Sequence, residues 1–179
     1  HASGRSAALF EEAYGSKATI ALNKASKARH IELELLSPRG LMLVSRAVDE
    51  KLFEADCVSM SLPEIPVEEA FAKVPILDQS VITRAAYHPD AMDLDTDRLL
   101  QVSAATIRQH GGEVRTSAAI TALERTATGW VATAGTDKIE AKIVVNASGA
   151  WVDQIAKLAG VQPIGIVPNR RSMARIAAP

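Results

Sequence analysis

The sequence predicts a mixed α/β chain in which helices alternate with short strands and a three-stranded β-meander lies in the last third. Three observations carry this reading. The runs Ile120–Arg125, Trp130–Ala134 and Ile139–Asn146 are strand-like, and only the turn residues Thr128-Gly129 and Gly135-Thr136-Asp137 separate them. Apolar residues recur at helical spacing between Ser16 and Leu36, and again between Asp95 and Gly111. The continuously apolar Ile143-Val144-Val145 then runs into Asn146-Ala147-Ser148-Gly149-Ala150-Trp151 and a further helix, as a strand buried on both faces would.

Taken in order, residues 1–10 are small and polar and read as a loop. Ser16 is the N-cap of a helix that reaches Leu36, where Ser37-Pro38 stops it, because the residue before proline is pushed out of the α region. Leu41–Val44 reads as a short buried strand and Val48–Met60 as a second helix. Pro66 opens a short helix over Val67–Lys73. Ser80–Tyr87 is a strand by its β-branched alternation, turned by His88-Pro89-Asp90. Asp93 or Asp95 caps the next helix, whose face is Leu100, Ala104 and Ile107 and whose stop is Gly111-Gly112. Glu113–Thr116 is a strand ahead of the meander. After it, Val152–Leu158 is a helix closed by Gly160, and Pro163 and Pro168 flank an extended segment before Arg170-Arg171.

Composition narrows the function classes. Of 179 residues, 47% are hydrophobic and 23% charged, the profile of a folded globular chain. Lys and Arg number 20 against 21 Asp and Glu, so nucleic acid is not an expected partner. No apolar run approaches the roughly 20 residues that cross a bilayer, and no signal peptide opens the chain. The single cysteine, Cys57, excludes an internal disulfide framework and a cysteine-based zinc cluster, and on its helix it reads as an inert packed thiol. A cytoplasmic compartment is expected, with membrane-peripheral attachment as the alternative. The abrupt start at His1 and the stop after Ala177-Ala178-Pro179 suggest a piece of a longer protein.

A strand that empties into Ala147-Ser148-Gly149 and then a helix is a shape that meets nucleotides. Small residues admit a ligand close to the backbone, and the helix start offers free N–H groups. The same sequence also suits an ordinary tight strand–helix turn. The glycine fingerprint G-x-G-x-x-G is absent, as is a strand ending in an acid for a ribose. The chain therefore holds half a dinucleotide site, or none. Asp93, Asp95 and Asp97 have the look of a metal cluster, but helix capping explains them better, and no metal site is expected.

Several stretches point together: Ser3-Gly4-Arg5-Ser6-Ala7-Ala8, Leu36-Ser37-Pro38-Arg39, Asp93-Leu94-Asp95-Thr96-Asp97, Val144-Val145-Asn146-Ala147-Ser148-Gly149-Ala150-Trp151, Leu158-Ala159-Gly160-Val161 and Pro168-Asn169-Arg170-Arg171-Ser172. In this order they resemble the middle of FAD-dependent oxidoreductases of the D-amino acid oxidase/glycine oxidase superfamily, and within it the D-arginine dehydrogenase type of D-amino acid dehydrogenase. The resemblance implies a partial FAD-binding Rossmann-like layer with the three-stranded β-meander, joined to part of an antiparallel-sheet substrate domain. It divides the chain into 1–36, an FAD-contacting loop and helix; 37–92, part of the substrate domain; 93–160, part of the FAD-binding domain; and 161–179, a return to the substrate domain.

The resemblance also implies site residues. Ala2, Ser3, Gly4, Arg5, Ser6, Ala7, Ala8 and Leu9 would line the flavin and its pyrophosphate, with plain turn chemistry as the alternative for Ser3 and Ser6. Ile120 stands where the family's backbone contacts the adenine, although alone it is a core strand residue. Ala147 and Gly149 belong to the second cofactor-facing turn. Arg171 would grip the substrate carboxylate through its guanidinium fork, with Arg170 able to exchange roles. Tyr14 matches a substrate-side tyrosine or is packing at a helix entrance. His1 stands in a context where some relatives attach flavin covalently, and a plain chain terminus is the simpler reading. His88 and His110 suit capping or solvent better than catalysis.

Two departures set the expected substrate. The acid that faces the cationic side chain in the D-arginine dehydrogenase type falls at Leu41, and its flavin-side histidine falls at Leu9. A leucine cannot compensate a guanidinium, so a neutral or apolar D-amino acid, or an N-methylated one, is expected. The implied reaction oxidises the Cα–N bond, with hydride passing to flavin N5 and an imino acid as product, while the electron acceptor is left open. Beside a sarcosine- or glycine-oxidase-like enzyme, two readings from other classes stand: a truncated module that binds no FAD, and a non-catalytic assembly module. Exposed sheet edges in a partial fold also predict self-association.

Overall fold

The computed structural model describes residues 6–169, which fall into two compact units, 6–110 and 111–169. Both are mixed α/β, built on small antiparallel sheets.

In the first unit, β1 (Leu9–Phe10), β2 (Leu36–Pro38) and β6 (Met92–Leu94) form one sheet in the order β1-β6-β2. Leu9 and Phe10 thus leave the loop expected over residues 1–10, because Asp93 and Met92 face them in register. Helix α1 (Lys17–Glu32) starts where expected, with the Ser16 hydroxyl accepting the Thr19 N–H at 3.2 Å. It stops at Glu32 and not at Leu36. The Leu33 N–H closes onto the Arg29 carbonyl, Glu34 turns left-handed at φ 53°, and Leu36–Pro38 pair with β6. A proline at a strand end needs no ladder N–H, so Pro38 closes β2 and plays no part in ending the helix.

The second sheet of this unit runs β3-β5-β4, from β3 (Leu41–Ser45), β4 (Glu64–Ile65) and β5 (Arg84–His88). Helix α2 (Glu50–Met60) enters through a 3-10 turn at Ala47–Asp49, and α3 (Val67–Lys73) follows Pro66 as the sequence predicts. The core is Phe53, Leu62 and Ala86, with Leu41, Leu43, Cys57 and Met60 packed around it. Leu41 is therefore a half-buried core residue. Strand β5 begins at Arg84 and not at Ser80, because the Asp78 carboxylate takes the Ser80 N–H and hydroxyl and folds 78–82 into a turn. His88 belongs to this strand, opposite Leu41. Helix α4 (Thr96–Gln109) is capped by Asp95, whose carboxylate accepts the Arg98 N–H at 2.8 Å. Its Leu100 and Ile107 remain 49% and 44% exposed.

In the second unit β7 (Ile120–Arg125), β8 (Trp130–Ala134) and β9 (Asp137–Ala141) form the expected meander. Three expectations fail around it. Glu113–Thr116 is irregular, since no strand among the described residues offers it a ladder. Strand β9 starts at Asp137 and ends at Ala141, short of Asn146. Ile143 and Val145 are 78% and 82% exposed instead of buried on both faces. Apolar continuity marks a segment that wants burial, and among the described residues none covers it. Helix α5 (Val152–Leu158) packs against β7 and ends before Gly160 at φ 65°, as predicted.

Candidate functional site

In the first unit the segment that leads into β1 is held from three directions. The Ser6 hydroxyl accepts the Ala8 N–H at 3.0 Å, and Ala8 sits left-handed at φ 54°. The Ala7 carbonyl accepts Arg39 Nη1 at 2.6 Å, and the same nitrogen donates to Asp93 at 2.7 Å. The Ala8 carbonyl accepts the Leu94 N–H at 2.7 Å. Three of the stretches quoted from the sequence, around Ser6, Arg39 and Asp93, thus meet here. Arg39 and Asp93 serve as scaffold, and Asp95 and Asp97 act as cap and as acceptor of Gln101 Nε2 at 2.6 Å.

Behind β1 lies a cavity of about 710 Å³. Glu11 lines it, its side chain only 3% exposed, with Oε2 2.6 Å from His88 Nδ1. Glu11 Oε1 accepts the Ala13 N–H at 3.1 Å, and the Glu11 backbone carbonyl accepts Asn23 Nδ2 at 3.1 Å. Toward an ionised Glu11 the ring donates through Nδ1, and a neutral ring then has Nε2 as its acceptor nitrogen. His88 is 29% exposed and lines the same cavity, which corrects its reading as a turn or solvent residue. Lys27 pairs with Glu12 on the wall, and the hydrogen bond and charge of Glu12 raise its ammonium pKa. Sequence reasoning missed Glu11. The signal available was an acidic pair, Glu11-Glu12, directly after the Ser6–Phe10 stretch.

Tyr14 lies in the turn before α1, 45% exposed, its backbone N–H donating to the Glu11 carbonyl at 3.4 Å. Leu41 faces the Phe53 cluster and does not line the cavity. Leu9 is half-buried in β1. His110 fits its capping reading, with Nδ1 2.9 Å from the Thr106 carbonyl. Cys57 is half-buried, and desolvation, with Glu64 nearby, pushes its thiol up, as an inert packed thiol requires.

In the second unit Asn146 shapes the turn. Its Oδ1 accepts the Ser148 hydroxyl at 2.7 Å and the Ser148 N–H at 3.3 Å, while Nδ2 donates to the Val152 carbonyl at 2.8 Å. Ala147 and Gly149 are exposed, and Gly149 stands at φ 59° with open space where a Cβ would point. Ile120 opens β7 beside a register shift before Ala122, which bends the strand end. Asp153 accepts the backbone N–H groups of Ile164, Gly165 and Ile166 at 3.0, 2.9 and 2.9 Å, and these bonds hold its carboxyl below the usual range. Ala2, Ser3, Gly4 and Arg5 lie outside the described residues, as do His1, Arg170 and Arg171.

These residues fit a nucleotide cofactor as far as they go. The Ser6 hydroxyl hydrogen and the Ala7 N–H have no acceptor among the described residues, and the Gly149 turn has room for a ligand. Among the described residues no cluster of three His, Cys, Asp or Glu could hold a metal, and no helix is long and apolar enough to cross a membrane.

The fold has well-matched relatives. L-proline dehydrogenase from P. horikoshii matches with TM-score 0.71 and 19% identity over 89% of this chain and 46% of its own. Glycine oxidase from Geobacillus kaustophilus matches with TM-score 0.71 and 20% identity over 89% and 48%. L-α-glycerophosphate oxidase from Mycoplasma pneumoniae, solved with FAD bound, matches with TM-score 0.69 and 12% identity over 87% and 46%. The chain spans about half the length of these structures. The family model described as FAD dependent oxidoreductase matches residues 1–179, and the chain belongs to that family, DAO.

Proposed function

We propose that this chain is part of an FAD-dependent enzyme that oxidises the Cα–N bond of a small amino acid to the imino acid, with a neutral or apolar D-amino acid preferred. The observation that carries the reading is family membership over the whole chain, joined to a cavity lined from Phe10 onward, next in sequence to the Ser6–Leu9 segment, in which the buried Glu11 carboxylate pairs with the half-buried His88 imidazole. FAD, when bound, supplies the two-electron acceptor. The chain's own residues bind and orient. Ser6, Ala7, Ala8 and Leu9, with Ala2, Ser3, Gly4 and Arg5 before them, would hold the flavin side of the cofactor. Ile120, Ala147 and Gly149 would meet its nucleotide side. Arg171 would fix the substrate carboxylate and Tyr14 flank it, so that the Cα–H bond is held in line.

A neutral side chain is favoured because the cavity's acids are committed: Glu11 to His88, Glu12 to Lys27, and Asp90 exposed beside Lys27. Two relatives named for glycine and proline support small substrates, and proline, a secondary amine, supports the N-alkylated alternative, a sarcosine- or glycine-oxidase-like enzyme. The four-part division into 1–36, 37–92, 93–160 and 161–179 goes with this reading. So does a cytoplasmic setting, supported by the single cysteine. Exposed Ile143, Val145, Ile164 and Val167 support self-association, which sedimentation would measure.

The test is anaerobic flavin bleaching by a panel of D-alanine, D-leucine, D-arginine, glycine, sarcosine and L-proline. Fastest reduction by D-alanine or D-leucine is expected. Preference for D-arginine overturns the substrate assignment. Protein that binds no FAD supports the non-catalytic module instead.

A further inference from the structure

We infer that the cavity behind β1 takes the amino group of the substrate, and that His88 Nε2 accepts its proton while Glu11 positions the ring. This deepens the proposed function and rests on it.

The geometry supplies each part. Glu11 is a buried acid with both carboxylate oxygens engaged, one by the Ala13 N–H at 3.1 Å and one by His88 Nδ1 at 2.6 Å. That second bond fixes the tautomer, so the nitrogen free to accept is Nε2, which has no hydrogen-bond partner among the described residues. Glu11 follows β1 directly, and β1 begins at Leu9, the last residue of the segment assigned to the flavin, so Phe10 alone separates Glu11 from that segment along the chain. The other charged groups on this cavity are Glu12 and Lys27, paired with each other, Lys24 from the same helix as Lys27, and Asp90 from the turn after β5. None of these is hydrogen-bonded to the imidazole.

An amino acid arrives as an ammonium ion, and its nitrogen lone pair must be free before the Cα–H bond can give up hydride. In the step assigned to His88 one N–H bond of the substrate breaks and an Nε2–H bond forms. The nitrogen keeps the electron pair, and no electrons leave the substrate. The imidazolium that results is balanced by the Glu11 carboxylate, the division of labour of a base and its orienting acid. FAD, when bound, would supply the hydride acceptor for the oxidation already proposed.

The experiment uses the flavin-loaded protein with two probes. Alanine and glycine report flavin reduction. The α-methyl analogue 2-aminoisobutyrate carries an ammonium but no Cα–H, so it binds without reacting. Its binding is followed by flavin absorbance and the His88 ring by ¹⁵N NMR, assigned by loss in His88→Gln. At a pH where the free ring is neutral, the analogue is expected to convert it to imidazolium. His88→Gln is expected to slow flavin reduction by about 10²–10³-fold, with the rate recovering at alkaline pH where the substrate amine is already free. If His88→Gln does not fold, Glu11→Gln carries the test, since its amide still accepts the Nδ1–H but balances no charge. It should lower reduction about tenfold at neutral pH with little change in KM. A ring that stays neutral while the analogue binds, or a rate loss that alkaline pH does not restore, overturns the inference. If no amino acid bleaches the wild-type flavin, the functional reading itself fails and this inference falls with it.

Discussion

Arg84 grips Glu64 with both prongs of its guanidinium, Nε to Oε1 at 2.8 Å and Nη2 to Oε2 at 2.9 Å, across the β5–β4 pairing. Its third nitrogen reaches Glu54 of α2 at 2.8 Å, and its plane lies over the Phe53 ring at 4.9 Å. One side chain therefore ties a sheet edge to a helix and lies over the core ring. The hydrogen bonds of Arg84 hold the Glu64 carboxyl below its ordinary 4.5, so the stability from this pair is present above that pH and is lost as pH falls through the lowered value. Arg84→Lys keeps the charge but not the fork. Acid unfolding should then begin at higher pH than in the wild type, read by circular dichroism against pH.

Phe53 is 3% exposed and packs with Leu62 and Ala86. Truncation to alanine removes the largest side chain of that cluster, and α2 cannot collapse far without losing β3 and β5 as well. Phe53→Ala should cost about 3–4 kcal/mol, measured by urea unfolding.

Asp153 clasps three successive amides, so its effect is local. Asp153→Asn should speed hydrogen exchange at Ile164, Gly165 and Ile166 and leave the meander amides unchanged. In the wild type the same amides should lose protection as pH falls below the ordinary 3.8 and through the lowered carboxyl value, because a protonated acid accepts them poorly.

Gly129 lies against β9, and a Cβ there would run into the carbonyl oxygen of Ala141, a backbone atom that cannot swing aside. Gly129→Ala should destabilise the second unit by about 1–3 kcal/mol through overpacking, with little effect on melting of the first. Differential exchange of β8 and α4 amides would read this.

Local chemistry made much of this fold legible. Ser16, Asp95 and Pro66 mark helix starts because capping and proline geometry act within one turn. Gly135, at φ 62°, marks one meander turn because few residues adopt that backbone, and Gly129 marks the other because a side chain there would meet the Ala141 carbonyl. The end of α1, the start of β5 and the loss of Glu113–Thr116 as a strand were not legible. Each depends on whether a partner strand lies alongside, and pairing registers are not written in either strand alone. The candidate site divides the same way. Ser6 to Leu9 and Ala147 to Gly149 stood out as motifs, whereas Glu11 and His88, 77 residues apart, were visible only as an unremarked acid and a turn histidine.

The sequence by itself determined the family, the alternation of helix and strand, and the Ser6–Leu9 and Ala147–Gly149 motifs, because these rest on short-range spacing and turn chemistry. Only the tertiary structure decided that Leu41 belongs to the core, that Arg39 and Asp93 brace the Ser6–Leu9 segment, and that Glu11 meets His88 inside a cavity. Those facts follow from β5 and β6 folding back antiparallel on earlier strands, which brings side chains from distant stretches within hydrogen-bond reach.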